Sequence, residues 1–111
     1  MFDLGQVIEV LSGYRPEWEE HELSHWVIDS RDASTGAIFV ALSGERSDGH
    51  WFVGDAFANG AVAALVHQDM SSTYPCLDLR DHISAQQIHS MGLPVCLRVE
   101  NSLIALQEVA Q

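Results

Sequence analysis

The sequence predicts a single three-layer α/β domain with a mostly parallel sheet, and three observations carry that prediction. Two apolar runs of strand length, 37–42 (AIFVAL) and 62–66 (VAALV), are continuous rather than alternating, as in strands buried on both faces. Between them, Phe52, Ala56 and Phe57 recur at helical intervals within 51–59, and Gly60 follows as a stop. Strand, helix and strand with short connections make a parallel crossover unit, right-handed by the rule for such units. A further strand at 95–99 leads into an amphipathic helix over 102–110, with Leu103, Leu106 and Val109 or Ala110 on one face.

The remaining elements follow in chain order. Leu4, Val7, Ile8 and Leu11 lie at helical spacing, with Asp3 as N-cap and Gly13 able to end the helix in the left-handed conformation. Residues 14–24 are acidic and polar, contain Pro16, and read as a loop or a helical turn. Residues 25–28 turn apolar and are expected as a strand running into Asp29-Ser30-Arg31, and Ser34-Thr35-Gly36 is turn chemistry. Residues 43–50 form a polar loop in which Asp48 is a candidate cap for the helix that follows. Residues 67–74 read as loop, 76–79 as an edge strand, and 83–91 as a short helix ended by Gly92.

An apolar content of 47% argues against a disordered chain. No apolar run reaches the length of a membrane span, and the amino terminus lacks the basic-then-apolar layout of a secretion signal. A cytoplasmic protein with no membrane partner is expected. Cys76 and Cys96 are too few for a disulfide scaffold, lack zinc-ligand spacing and lie in apolar runs, so both are expected as core. The net charge is −11, and the five basic residues are all arginines. Such a field repels nucleic acid, which is not expected as a partner. It repels a nucleotide diphosphate too, unless arginines gather locally; Arg31 and Arg46 fall in the two polar segments at strand ends.

Those segments are the first candidate site. In open α/β sheets ligands collect beyond the carboxyl ends of strands, where Asp29-Ser30-Arg31 and the loop Gly44-Glu45-Arg46-Ser47-Asp48-Gly49-His50 both lie. A serine hydroxyl and loop amides can read the edge of a pyrimidine, and an arginine can hold a phosphate. The plainer reading has Asp48 cap a helix, Gly49 make a turn and Arg31 pair with a nearby acid. Trp51, Phe52 and Phe57 read mostly as core, although Trp51 stands beside the loop and is a candidate for stacking on a base. A second motif, His21-Glu22-Leu23-Ser24-His25, spells the zincin pattern H-E-x-x-H, in which two histidines one helical turn apart bind zinc. Its context is poor, since the preceding residues are acidic and 25–28 head into a strand. A zinc hydrolase stands as an alternative to a solvated acidic turn, with nothing to choose a third ligand among His50, His67, His82, His89 or a carboxylate.

The block D-S-R, then G-x-(I/L)-F-V-A-L-x-G, then D-G-H-x-F, then A-x-x-x-G-A-x-A resembles the amino-terminal domain of the Mur ligases. The resemblance is greatest to the enzymes that add the third residue and the D-Ala-D-Ala dipeptide. Here it reads Asp29-Ser30-Arg31, Gly36 to Gly44, Asp48 to Phe52 and Ala56 to Ala64, about a third of the chain without a gap. Val99-Glu100-Asn101-Ser102-Leu103-Ile104-Ala105-Leu106 is similar to that domain's closing V-x-(D/N)-x-x-x-A-L.

The resemblance implies a pocket for the uridine end of a UDP-N-acetylmuramoyl-peptide. Its residues would be Ile28 and Ser30, with Arg31 beside them and Glu45, Arg46 and Ser47 in the closing loop. Gly44-Glu45-Arg46 is more similar to the dipeptide-adding enzyme. Contacts from 70–92 do not carry over, because that stretch is longer and more polar than the family's. The family's reaction is ATP-dependent: the peptide carboxylate becomes an acyl phosphate, and an amine displaces phosphate. ATP and Mg2+ are expected in the full-length enzyme, held by a G-x-x-G-K-(T/S) loop in a central domain. The chain has no such loop and no lysine, so no cofactor is expected in this domain. Residues 1–111 are expected to be a fragment whose partner is the central ATP-binding domain of the same chain. A free-standing nucleotide-sugar-binding or interaction module is the alternative.

Overall fold

The computed structural model describes residues 2–14, 22–44, 46–80 and 92–109. A short strand β1 (Phe2–Asp3) leads into helix α1 (Leu4–Ser12), and β2 (Glu22–Leu23) pairs antiparallel with β1. Then come β3 (Trp26–Val27), β4 (Ile38–Val40), helix α2 (Val53–Ala58), β5 (Ala63–Val66), β6 (Cys76–Asp78), β7 (Val95–Arg98) and helix α3 (Ser102–Val109). Strands β3 to β7 form one five-stranded sheet in the order β3-β4-β5-β7-β6, parallel at every pairing.

The continuous apolar runs explain the layers. Successive strand residues point to opposite faces, so a strand covered on both sides must be apolar at every position. Ile38, Val40, Ala63, Leu65, Val95 and Leu97 pack on one face with Leu4, Val7 and Ile8 of α1 and Ala105 of α3. Phe39, Ala64, Val66 and Cys96 pack on the other face with Val53 and Ala56 of α2. The three layers follow. Cys96 is buried and Cys76 half-buried, as expected of core thiols, and burial pushes the Cys96 thiol up to about 12.

Helix α1 starts at a capping box. The Asp3 side chain accepts from the Gln6 N–H, and the Gln6 side chain accepts from the Asp3 N–H. It ends at Gly13, whose φ of 80° is left-handed. Residues 76–78 are the edge strand, as the sequence suggested. No helix among the described residues is long and apolar enough to cross a membrane.

Three expectations need correction. Residues 22–23, read as loop or helical turn, are a strand; a two-residue strand carries no period for a sequence to display. That extended backbone also removes the zincin reading, which needs a helix through Glu22, Leu23 and Ser24 to bring its histidines together. His21 itself lies outside the described residues, as do Glu45 and the helix expected over 83–91. Third, the single helix expected over 51–59 is a 3-10 turn, Gly49–Phe52, followed by α2. Trp51 on that turn is 70% exposed and Phe52 is 39% exposed, so neither is core; Phe57 is half-buried, edge-on to Tyr74.

Candidate functional site

Because β3 and β4 run parallel, the chain leaves both at one edge of the sheet. There a cavity of about 1050 Å³ opens between the segment after β3 and the loop after β4. Ile28, Ser30 and Arg31 line it from one side, and Leu42, Ser47, Gly49 and Phe52 from the other. Ile28 is 56% exposed, so an aliphatic side chain and the Phe52 ring offer apolar surface to whatever enters. Asp29, Asp32 and Asp55 also line the cavity, against Arg31 as the one guanidinium among the described residues. That balance suits a neutral ring with hydrogen-bonding edges better than a polyanion.

The Asp29-Ser30-Arg31 segment is a closed 3-10 turn. Asp29 caps it, accepting from the Arg31 N–H at 2.9 Å and from the Arg31 guanidinium at 2.7–3.2 Å. The Arg31 side chain beside it holds the Asp29 carboxyl down at about 2. Arg31 thus pairs with a nearby acid, as the plainer reading had it, while its side chain remains 87% exposed. Ser30 is buried, and its carbonyl accepts from Asn59 Nδ2 at 3.0 Å, which ties the turn to the end of α2.

The opposite wall is tied from behind. Gly44 N–H donates to the Ser47 carbonyl at 2.8 Å, and Gly49 N–H donates to the Leu42 carbonyl at 2.8 Å. Asp48 caps the following turn, again the plainer reading, and also anchors a part-buried network. Its Oδ1 accepts from the His50 N–H at 3.0 Å and from His50 Nδ1 at 2.6 Å, and its Oδ2 accepts from Gln68 Nε2 at 2.6 Å. Burial works to raise the Asp48 pKa, but these hydrogen bonds outweigh it and bring the carboxyl down to about 2.

His50 Nε2 accepts from the His67 N–H at 3.0 Å, which leaves Nδ1 as the ring nitrogen that donates to Asp48. The His67 ring lies between Ser43 Oγ (3.1 Å) and Ser102 Oγ (3.0 Å), edge-on to His50. Burial, and after it the neighbouring His50, lower the His67 pKa and favour its neutral form. The loop after β4 is thereby braced to the ends of β5 and α3.

Of the residues named from sequence, Ile28, Ser30, Arg31 and Ser47 meet at the cavity. Arg46 is exposed in the same loop but does not line it, and Glu45 lies outside the described residues. Trp51, the stacking candidate, does not line it either; Phe52 does. Leu42 and the bracing His67 were missed as parts of the site. No local signal marks His67, whose partners lie 17, 24 and 35 residues away.

A family profile described as "Mur ligase family, catalytic domain" matches residues 22–111. The match carries family membership; the 111 residues hold no lysine and no G-x-x-G-K-(T/S) loop. Over 79 residues the chain is 35% identical to UDP-N-acetylmuramoyl-L-alanyl-D-glutamate–2,6-diaminopimelate ligase of Listeria monocytogenes serotype 4b, covering 71% of this chain and 16% of that one. Over 78 residues it is 36% identical to UDP-N-acetylmuramoyl-tripeptide–D-alanyl-D-alanine ligase of Escherichia coli K12, covering 70% and 17%. The chain thus spans less than a fifth of the length of these relatives. In fold it is similar to the crystal structure of MurF from Acinetobacter baumannii, with a TM-score of 0.59 and 24% identity over 94% of this chain and 19% of that one. The resemblance to an amino-terminal domain fits both comparisons, and the chain belongs to the Mur ligase family.

Proposed function

We propose that the cleft between the Asp29-Ser30-Arg31 turn and the loop after β4 binds the uridine end of a UDP-N-acetylmuramoyl-peptide in peptidoglycan synthesis. On this reading residues 1–111 are the amino-terminal substrate domain of an ATP-dependent ligase, and the Gly44-Glu45-Arg46 loop sides with the D-alanyl-D-alanine-adding type. One observation carries the proposal. A cavity of about 1050 Å³ opens at Ile28, Ser30, Arg31 and Ser47, positions that the motif alone had nominated.

The chemistry supports the same assignment. A pyrimidine is neutral, has a polar edge for the Ser30 hydroxyl and loop amides, and has flat faces for Ile28 and Phe52. Arg46 on the exposed turn and the outward guanidinium of Arg31 suit the phosphates beyond it. ATP does not fit the residues present, because no lysine and no phosphate loop exist here. ATP and Mg2+ would belong to the central domain, and this chain alone would bind without ligating.

Calorimetric titration with UDP-N-acetylmuramoyl-tripeptide tests the proposal. The expected outcome is weak binding that Ser30→Ala and Arg46→Ala each reduce by about tenfold, the share of one hydrogen bond to a charged or polar ligand group. Unchanged affinity in both variants would sink the assignment.

A further inference from the structure

A second, smaller cavity of about 320 Å³ is lined by Leu42, Ser43, His67, Glu100, Asn101 and Leu103. It holds a serine and a histidine for which the uridine reading has no use. Ser43 follows β4, His67 follows β5 directly, and Ser102 opens α3 after β7. Parallel strands thus bring together side chains 24 and 35 residues apart. The His67 ring stands between two hydroxyls: Ser43 Oγ is 3.1 Å from Nε2 and Ser102 Oγ is 3.0 Å from Nδ1. In the tautomer that donates from Nδ1 to Ser102, Nε2 turns its lone pair toward the Ser43 hydroxyl. An accessible hydroxyl against a base, with the base held from behind by a third group, is the arrangement that activates a nucleophile.

Access and charge agree with that chemistry. Ser43 is exposed, while Ser102 is 1% exposed and holds the ring from within. Asp48 Oδ1 also lies 3.5 Å from Ser43 Oγ, but Nε2 is the nearer acceptor. The Asp48 charge favours the imidazolium that forms when His67 takes a proton, while burial and His50 keep the resting ring neutral. Asn101 lines the same cavity; its Oδ1 accepts from the Ile104 N–H at 3.1 Å, which leaves Nδ2 to donate to an oxyanion. Leu42 and Leu103 give an apolar wall for a short acyl chain, and the Glu100 carboxylate turns away anionic substrates. The contact between Ser24 Oγ and His25 Nδ1 at 2.7 Å lacks this pattern. Ser24 Oγ donates its one proton to the Thr35 carbonyl at 3.1 Å and has none to pass to the ring.

We propose that Ser43, His67 and Asn101 form a hydrolytic site for small, uncharged carboxylic esters of short acyl groups, with Ser102 as a positioning residue. Ser43 Oγ attacks the ester carbonyl carbon as its proton passes to His67 Nε2, and the carbonyl electron pair moves onto the oxygen facing Asn101. Collapse of that intermediate breaks the bond to the alcohol, which leaves with the proton from His67. Water then attacks the acyl-serine and gives a proton to His67; the second collapse releases the carboxylic acid and returns that proton to Ser43 Oγ. The site does not depend on the uridine reading of the large cleft.

The test pairs turnover of p-nitrophenyl acetate with labelling by a fluorophosphonate, which phosphonylates activated serines, followed by mass spectrometry of the peptides. The expected result is turnover by the wild type that falls to background in Ser43→Ala, and a label on Ser43 that denaturation abolishes. His67→Gln should slow labelling by about a hundredfold, the share of a general base, with circular dichroism checking its fold. Wild-type labelling should hold steady at neutral pH and fall in acid below the ordinary histidine value of 6.5, where His67 gains its proton. Ser102→Ala should move that fall to still lower pH, because the imidazolium loses an acceptor, a shift that a merely structural role would not produce. Equal turnover in Ser43→Ala, no label on Ser43, or labelling insensitive to acid overturns the site, whether or not His67→Gln folds. A folded His67→Gln that labels at the wild-type rate overturns it too.

Discussion

Replacing His50 with alanine is expected to destabilise the fold by about 3 kcal/mol, from a buried void and an orphaned backbone donor together. The His50 side chain is only 2% exposed and bridges two elements. Its Nδ1 donates to Asp48, and its Nε2 accepts the His67 N–H at the end of β5. Truncation empties the ring's volume, costing about 2 kcal/mol by analogy with other large-to-small core changes. It also leaves the His67 N–H without its acceptor, about 1 kcal/mol or more. For a domain of this size the midpoint of thermal unfolding should fall by about 10 °C.

The deficit should shrink in acid. In the folded chain the Asp48 pKa is depressed from an ordinary 3.8 to about 2. Its contribution is therefore complete above the unfolded value and fades as the pH drops through the folded one. Since His50 supplies part of that depression, the wild type should lose more than the variant between about pH 4 and pH 2. Melting curves at neutral pH and in acid check both parts. A loss under about 1 kcal/mol at neutral pH would show that the network does not brace the loop.

The second large effect is expected at Gly60, where alanine should cost about 3 kcal/mol from backbone strain and overpacking combined. Gly60 has φ 113°, outside the range that L side chains adopt readily. A Cβ there would stand 2.7 Å from Thr35 N and 2.8 Å from Ser34 C, both backbone atoms that cannot swing aside. The Gly60 carbonyl also accepts from the Gly36 N–H at 3.1 Å, so displacement would reach the start of β4. Gly13 provides the contrast: its φ is 80°, but nothing lies within 4 Å of the added carbon. Gly13→Ala should therefore cost only about 1 kcal/mol, the left-handed strain alone. Denaturant midpoints for the two variants separate strain from collision, and equal losses would contradict the geometry.

Much of this architecture was legible in the chain. The runs at 37–42 and 62–66 announced strands covered on both faces, and Asp3 and Gly13 marked the ends of α1. Ile28, Ser30 and Ser47 reached the cleft because strand ends in a parallel sheet share one edge. What stayed hidden is long-range or too short to have a period. The pairing of β1 with β2 rests on two residues a side. The exposure of Trp51 depends on a 3-10 turn that the Asp48 side chain closes at the His50 N–H, which hydrophobic spacing cannot register. His67 acquires its role only when β5 is laid beside the loop after β4. The H-E-x-x-H match, already in a poor context, fails because residue spacing says nothing about whether the backbone between is helical.

The most direct test of the uridine cleft is an amide NMR titration of the chain with uridine monophosphate. The account expects saturable shifts concentrated at Ile28, Ser30, Ser47, Gly49 and Phe52, with the β1–β2 pair and the outer face of α1 unmoved. Shifts that cluster away from the cleft, or no shifts at millimolar nucleotide, would contradict it.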